Sequence, residues 1–180
     1  MIVAIIGAES TGKTDLSIAL GAALHAHGRR CAVVAEYLRE WCIDADRTPR
    51  IDEQAAIAQE QARRIEAAAA THGLVIADTT PLLTAVYSEW VFGDRSLYAP
   101  ALDWQRRRVA LTLLTGLDMP WRPDGIFRDG PHVREPVDAL LRRALAGAGV
   151  PFGVVYGDGE RRTATALAAA RHRLEAAHGG

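Results

Sequence analysis

Residues 2–14 read Ile2-Val3-Ala4-Ile5-Ile6-Gly7-Ala8-Glu9-Ser10-Thr11-Gly12-Lys13-Thr14. Five apolar, mostly β-branched residues run straight into Gly-x-x-x-x-Gly-Lys-Thr, the spacing of a phosphate-binding loop between a strand and a helix. The spacing has a physical reason. Gly7 and Gly12 let the backbone wrap closely, and the loop N–H groups, those of Glu9, Ser10 and Thr11 included, can turn inward on a phosphate. The helix that starts at Lys13 adds its positive dipole end. The Lys13 ammonium can reach the β- and γ-phosphates, and the Thr14 hydroxyl can ligate Mg²⁺. The expected ligands are therefore a nucleoside triphosphate, ATP or GTP, and Mg²⁺.

The rest of the chain repeats this strand-then-helix rhythm. Further short apolar runs lie at Cys31–Ala35, Leu74–Ala77, Val109–Thr115 and Phe152–Tyr156. Each is short enough for a strand buried on both faces. Helical patterns fill the gaps. Lys13–His27 carries a 3.6-period face through Leu16, Ala19, Leu20, Ala23 and Leu24. Asp52–Ala70, Pro81–Phe92, Pro136–Ala148 and Arg161–Ala177 complete the set. The alternation predicts an α/β fold: a P-loop NTPase three-layer sandwich around a five-stranded parallel sheet, in one domain over residues 1–180. The stretch from Leu117 to Glu135 is rich in Pro, Gly, Arg and Asp and fits no element. It is expected to form a helical or loop lid over about 117–135.

Composition narrows the function. The 180 residues are 49% hydrophobic and 24% charged with net charge −1, a balanced globular chain with no bulk attraction to nucleic acid or anionic membrane. Two cysteines, Cys31 and Cys42, form neither a metal spacing nor a disulfide framework and are expected to pack as small apolar residues. No apolar run is long enough for a membrane helix, and no leader precedes the first strand, so a cytoplasmic protein is expected. Among 21 basic residues 20 are arginine, and the one lysine is Lys13. The run Arg106-Arg107-Arg108 lacks interleaved aromatics and reads as a solvated helix end or one facing the phosphates.

In a doubly wound sheet, ligands sit at the carboxyl ends of the strands. Asp78 follows Leu74–Ala77, where a carboxylate can hold Mg²⁺ directly or through water; otherwise it is a helix cap. Glu36 follows Cys31–Ala35, where it can accept a proton from a substrate hydroxyl or bind a ribose diol; otherwise it is a solvated charge. The aromatic group Tyr87, Trp90, Phe92, Tyr98 and Trp104 reads as core packing or as a wall that stacks on a substrate base.

Four blocks occur in order: residues 7–14, Glu-Tyr-Leu-Arg-Glu at 36–40, Ala-Asp-Thr-Thr at 77–80 and Pro-Trp-Arg-Pro-Asp-Gly-Ile-Phe-Arg at 120–128. Together they resemble the ribosylnicotinamide kinase domain of the NadR family and the related AAA_28-type P-loop proteins. The resemblance implies ATP-dependent phosphorylation of the 5′-hydroxyl of nicotinamide riboside. It makes Lys13 and Thr14 the phosphate and Mg²⁺ contacts and Asp78 a metal-side or catalytic carboxylate. It puts Glu36, Tyr37 and Arg39 at the nucleoside, with Trp90 and Tyr98 as the aromatic candidates there. It assigns Arg128, and with it Arg134, to the charge that develops on the transferred phosphoryl. The first strand follows Met1 directly, so the adenylyltransferase domain that precedes the kinase in NadR is expected to be absent. The partner expected is a small nucleoside, with neither nucleic acid nor membrane. The same features admit another nucleoside or small-metabolite kinase, or a P-loop NTPase that regulates a partner protein.

Overall fold

The computed structural model describes residues 1–122 and 130–178. Five strands form one parallel sheet: β1 (Ile2–Ile6), β2 (Ala32–Val34), β3 (Val75–Asp78), β4 (Val109–Thr115) and β5 (Gly153–Val155), in the order β2-β3-β1-β4-β5. All five lie inside or just short of the runs expected from sequence, save that β3 extends one residue to include Asp78. Among the described residues seven α-helices surround the sheet: α1 (Lys13–Ala26), α2 (Tyr37–Ala45), α3 (Gln54–Thr71), α4 (Pro81–Phe92), α5 (Tyr98–Arg108), α6 (Arg134–Gly147) and α7 (Gly159–His178).

The pleat of β1 sorts the helices into two layers. Val3 and Ile5 point to one face and pack with Leu16, Leu20 and Leu24 of α1 and with Ala166 and Leu174 of α7. Ala4 and Ile6 point to the other and pack with Leu82 and Val86 of α4 and with Val137, Leu141 and Leu145 of α6. Ile2, on that same face, meets Ile65 of α3. Successive strand residues alternate faces, so an all-apolar strand buried on both sides reports a helix layer above and below.

Two helices depart from the expectation. Helix α2 was not expected, and over Tyr37–Ala45 only Cys42 is buried. Helix α5 passes straight into β4 with no Gly or Pro between them, and its end holds Arg106, Arg107 and Arg108, all exposed. Arg107 pairs with Asp103 and Arg108 with Glu66. Of the stretch expected as a lid, residues 123–129 lie outside the described residues, and its end is regular. A 3₁₀ turn covers Pro131–Val133 and α6 starts at Arg134, because Pro136 is tolerated in a first helical turn whose N–H groups have no partner. Both cysteines are buried and unbridged.

Leu20 is fully buried where α1 meets the sheet. Leu20→Ala is expected to lower unfolding free energy by about 2–5 kcal/mol, read from the urea midpoint at constant slope.

Candidate active site

The loop after β1 is held from below by β4. Thr115 at the end of β4 donates from Oγ1 to Ile6 O at 3.2 Å and lies 2.7 Å from Thr11 Oγ1, which itself reaches Ala8 O at 2.7 Å. A Cβ at Gly7 would collide with Thr115 Oγ1, so glycine is required there for close approach rather than for its dihedral angles. Gly12 needs both freedoms. Its φ is +69°, and a Cβ would come within 2.9 Å of both Arg162 Nη1 and Met119 Sδ. Glu9 and Thr11 are buried in the loop wall. Ser10, with φ +50°, accepts a hydrogen bond at Oγ from Arg122 N–H at 2.8 Å and donates to Arg122 O at 3.0 Å.

Lys13 is only 6% exposed, and its Nζ donates to Ala8 O at 2.8 Å. The lysine is thus folded over the loop that it follows. One residue on, Thr14 Oγ1 donates to Asp78 Oδ2 at 2.6 Å. Asp78 is 1% exposed, and its Oδ1 has no hydrogen-bond partner among the described residues. Burial pushes this carboxyl above the ordinary value of 3.8. The Thr14 hydrogen bond works against that, the nearby Glu36 charge adds to it, and Lys13 and Arg39 oppose it. Glu36, Lys13 and Arg39 thus lie within electrostatic reach of Asp78.

Glu36 is the residue before α2, and its side chain makes no cap hydrogen bond. Arg39, one turn on, brings Nε within 3.8 Å of Glu36 Oε2. Tyr37 is committed elsewhere: its ring lies under the Arg64 guanidinium at 4.2 Å, and its N–H donates to Gln61 Oε1 at 2.7 Å.

Not every candidate joins this group. Trp90 is in the last turn of α4, about 13 Å of helical rise from Pro81. Tyr98 opens α5, packs against the core under α4 and α6, and donates its hydroxyl to Glu89 at 2.6 Å. Burial and the Glu89 carboxylate push its phenol upward. Tyr98 therefore packs with the helix core, whereas Trp90 is exposed at the end of α4. Tyr87 and Trp104 also pack against core clusters. Arg128 lies outside the described residues. Arg134 is 8% exposed and spends Nη2 on Leu117 O at 3.2 Å and Met119 O at 2.8 Å, which ties down the chain after β4.

Two residues at the site escaped the sequence reading. Arg162, in the first turn of α7, is 3% exposed and reaches Met119 Sδ at 2.6 Å beside Gly12. Burial lowers its pKa, with Asp118, Asp15 and Asp158 opposing. The available signal was a cation at the positive end of a helix, against the dipole. Gln61 is the other, with nothing in its spacing to mark it.

The oxygens fit a hard divalent cation. A hydroxyl and a carboxylate, with one buried carboxylate oxygen unpartnered, are donors that Mg²⁺ takes. Among the described residues no group of three His, Cys, Asp or Glu side chains could hold a metal, so phosphate oxygens and water would complete its shell. None of the described helices is long and apolar enough to cross a membrane.

A family model described as AAA_28, AAA domain, matches residues 2–162. No curated protein matches the chain in sequence. Among solved structures, a NadR protein in complex with NR superposes with TM-score 0.78 at 22% identity, covering 96% of this chain and 51% of that one. A NadR protein in complex with NAD and AMP-PNP gives TM-score 0.73 at 22% identity, covering 96% and 49%. This chain thus spans about half the length of those NadR chains. The deoxyadenosine kinase from M. mycoides, with products dCMP and a flexible dCDP bound, gives TM-score 0.61 at 16% identity over 98% of this chain and 100% of that one. These likenesses establish a P-loop kinase-like fold.

Asp78 binds its proton more readily folded than unfolded, so its contribution to stability is present below the unfolded value and lost as pH rises through the folded one. Asp78→Asn keeps an acceptor for Thr14 and removes the buried charge. It is expected to raise the thermal midpoint of the ligand-free protein at pH 7, with the gain shrinking as pH falls through the raised value toward 3.8, the ordinary value, and gone below it.

Proposed function

The chain belongs to the AAA_28 family of AAA domains, and from that premise we propose that it is an ATP-dependent kinase that phosphorylates the 5′-hydroxyl of a nucleoside, with nicotinamide riboside as the substrate. The observation that carries the reaction type is the Thr14–Asp78 pair set beside a buried loop lysine, with a second carboxylate, Glu36, close by. A hydrolase needs the loop and a metal-side acid; an acceptor hydroxyl also needs a group to orient it. The substrate is supported by the resemblance of the 36–40 and 120–128 blocks to the NadR kinase domain, and by the superposition on NadR bound to NR.

In this reading the loop N–H groups and the α1 terminus cradle the phosphates. Lys13 leaves Ala8 O for the β- and γ-phosphates and neutralises charge that develops during transfer. Thr14 and Asp78 would hold Mg²⁺, which supplies charge neutralisation across the β- and γ-phosphates when bound. Glu36 accepts the proton of the attacking hydroxyl, and Arg39, with Nε 3.8 Å from Glu36 Oε2, is the cation beside it. Transfer is then an in-line displacement: the nucleoside oxygen bonds to the γ-phosphorus, the bridge to the β-phosphate breaks, and ADP leaves. Asp78 is buried, and a bound cation would offset the cost of its charge there.

Lys13→Ala is expected to cut phosphoryl transfer by about 100-fold or more with an unchanged circular dichroism spectrum. A panel of nucleosides, assayed for ADP release with ATP–Mg²⁺, tests the substrate. Nicotinamide riboside should stand above the purine and pyrimidine nucleosides, and a response no greater than buffer would overturn that choice.

A further inference from the structure

Glu36 stands where the sheet holds the chain least. β2 is an edge strand of three residues, paired on one side only, and its last ladder contact is Val34 with Ala77. Ala35 and Glu36 follow beyond that ladder, and α2 then starts at Tyr37. A helix leaves its first N–H groups unpartnered, and the residue before it usually supplies the cap from its own side chain. Glu36 does not, since it makes no cap hydrogen bond.

The cap comes from another helix. Gln61 of α3 is 2% exposed. Its Oε1 accepts from Tyr37 N–H at 2.7 Å, and its Nε2 donates to Ala35 O at 3.3 Å. One buried amide therefore grips the backbone on both sides of Glu36. An amide is the neutral group that can accept and donate at once, which is what an N–H and a C=O two residues apart require. The neighbouring turn of α3 reinforces the grip: Arg64 covers the Tyr37 ring and makes two hydrogen bonds to Glu40, at 2.6 and 2.8 Å.

We propose that Gln61 is a positioning residue that caps α2 in place of Glu36 and so leaves the Glu36 carboxylate available to the acceptor hydroxyl. The proposal rests on the kinase reading above. Gln61 touches neither nucleotide nor nucleoside; it acts by fixing where Glu36 stands relative to Asp78. Displacement of a reacting group by about 1 Å can cost on the order of 100-fold in rate.

The test is a double-mutant cycle of Gln61→Met and Glu36→Gln, assayed with nicotinamide riboside or, in its place, the nucleoside that the panel shows to be phosphorylated. Gln61→Met keeps the length and loses both hydrogen bonds. It is expected to lower kcat/KM for the nucleoside by roughly ten- to a hundredfold, while Kd for ATP–Mg²⁺ stays within about twofold. In the Glu36→Gln background it should cost nothing further, because Gln61 acts through that carboxylate. Gln61→Glu keeps the acceptor for Tyr37 N–H and should fall between Gln61→Met and wild type; it also serves if Gln61→Met fails to fold. An equal loss in both backgrounds, a parallel loss of ATP affinity, or no loss at all would overturn the positioning role. A Glu36→Gln protein that transfers at the wild-type rate gives a different signature: the role of Glu36 falls first, and with it anything for Gln61 to position.

Discussion

Three parallel strands end side by side beneath the phosphate-binding loop, and their register fixes what the loop can touch. Ile5 of β1 pairs with Asp78 of β3, and Ile6 pairs with Leu114 of β4. Thr115, one residue past Leu114, then lies under Gly7, and Asp78 itself lies against Thr14. A slip of one residue in either pairing would turn Asp78 or Thr115 to the opposite face. The burial of β1 on both faces prevents that slip, since any change of register would drive Val3 and Ile5 out of the α1–α7 layer and Ala4 and Ile6 out of the α4–α6 layer. Core packing thereby sets site geometry to within a hydrogen bond.

That geometry gathers charge where the interior tolerates it least. Lys13, Asp78, Arg134 and Arg162 are all below a tenth exposed. Each ion removed from water costs several kcal/mol unless partners offset it. Arg134 finds backbone carbonyls; Arg162 has a sulfur, and its Nε and Nη2 have no hydrogen-bond partner among the described residues. A fold selected for stability alone would have no reason to keep so many. Lys13 and Arg162 lie beside one loop, where an anion would offset the cost of their burial.

The fold was legible wherever burial imposed a period. Strands buried on both faces read as apolar runs, and α1 and α4 read from their faces and ends. Helix α2 did not, because it buries only Cys42, and α5 did not, because nothing punctuates its passage into β4. The loop and Asp78 were legible for a different reason: their chemistry is tied to a local spacing and to a strand end. Gln61 and Arg162 have no such tie. Gln61 gains its meaning from two backbone groups 24 and 26 residues away in the chain, and Arg162 from Met119, 43 residues away. Only the folded chain brings them there. Tyr98 shows the converse: a residue type suited to stacking on a base packs against the helix core, which was the other reading its sequence allowed.

The contrast between the single lysine and the 20 arginines follows from the same constraint. Arginine serves at the surface of this chain, where Arg47 and Arg64 each grip a carboxylate through two nitrogens. It serves inside as well, where Arg134 spans two carbonyls. Each of those tasks suits a planar fork with several donors. Position 13 has a different shape. Its terminal nitrogen lies 2.8 Å from Ala8 O, inside a loop whose backbone closes over Gly7 with no room for a methyl group. A compact ammonium on a thin stem can turn from that carbonyl to a phosphate by rotating about single bonds. A guanidinium would bring a rigid plane to the same place, and it is that difference in shape that sets position 13 apart from the arginine positions.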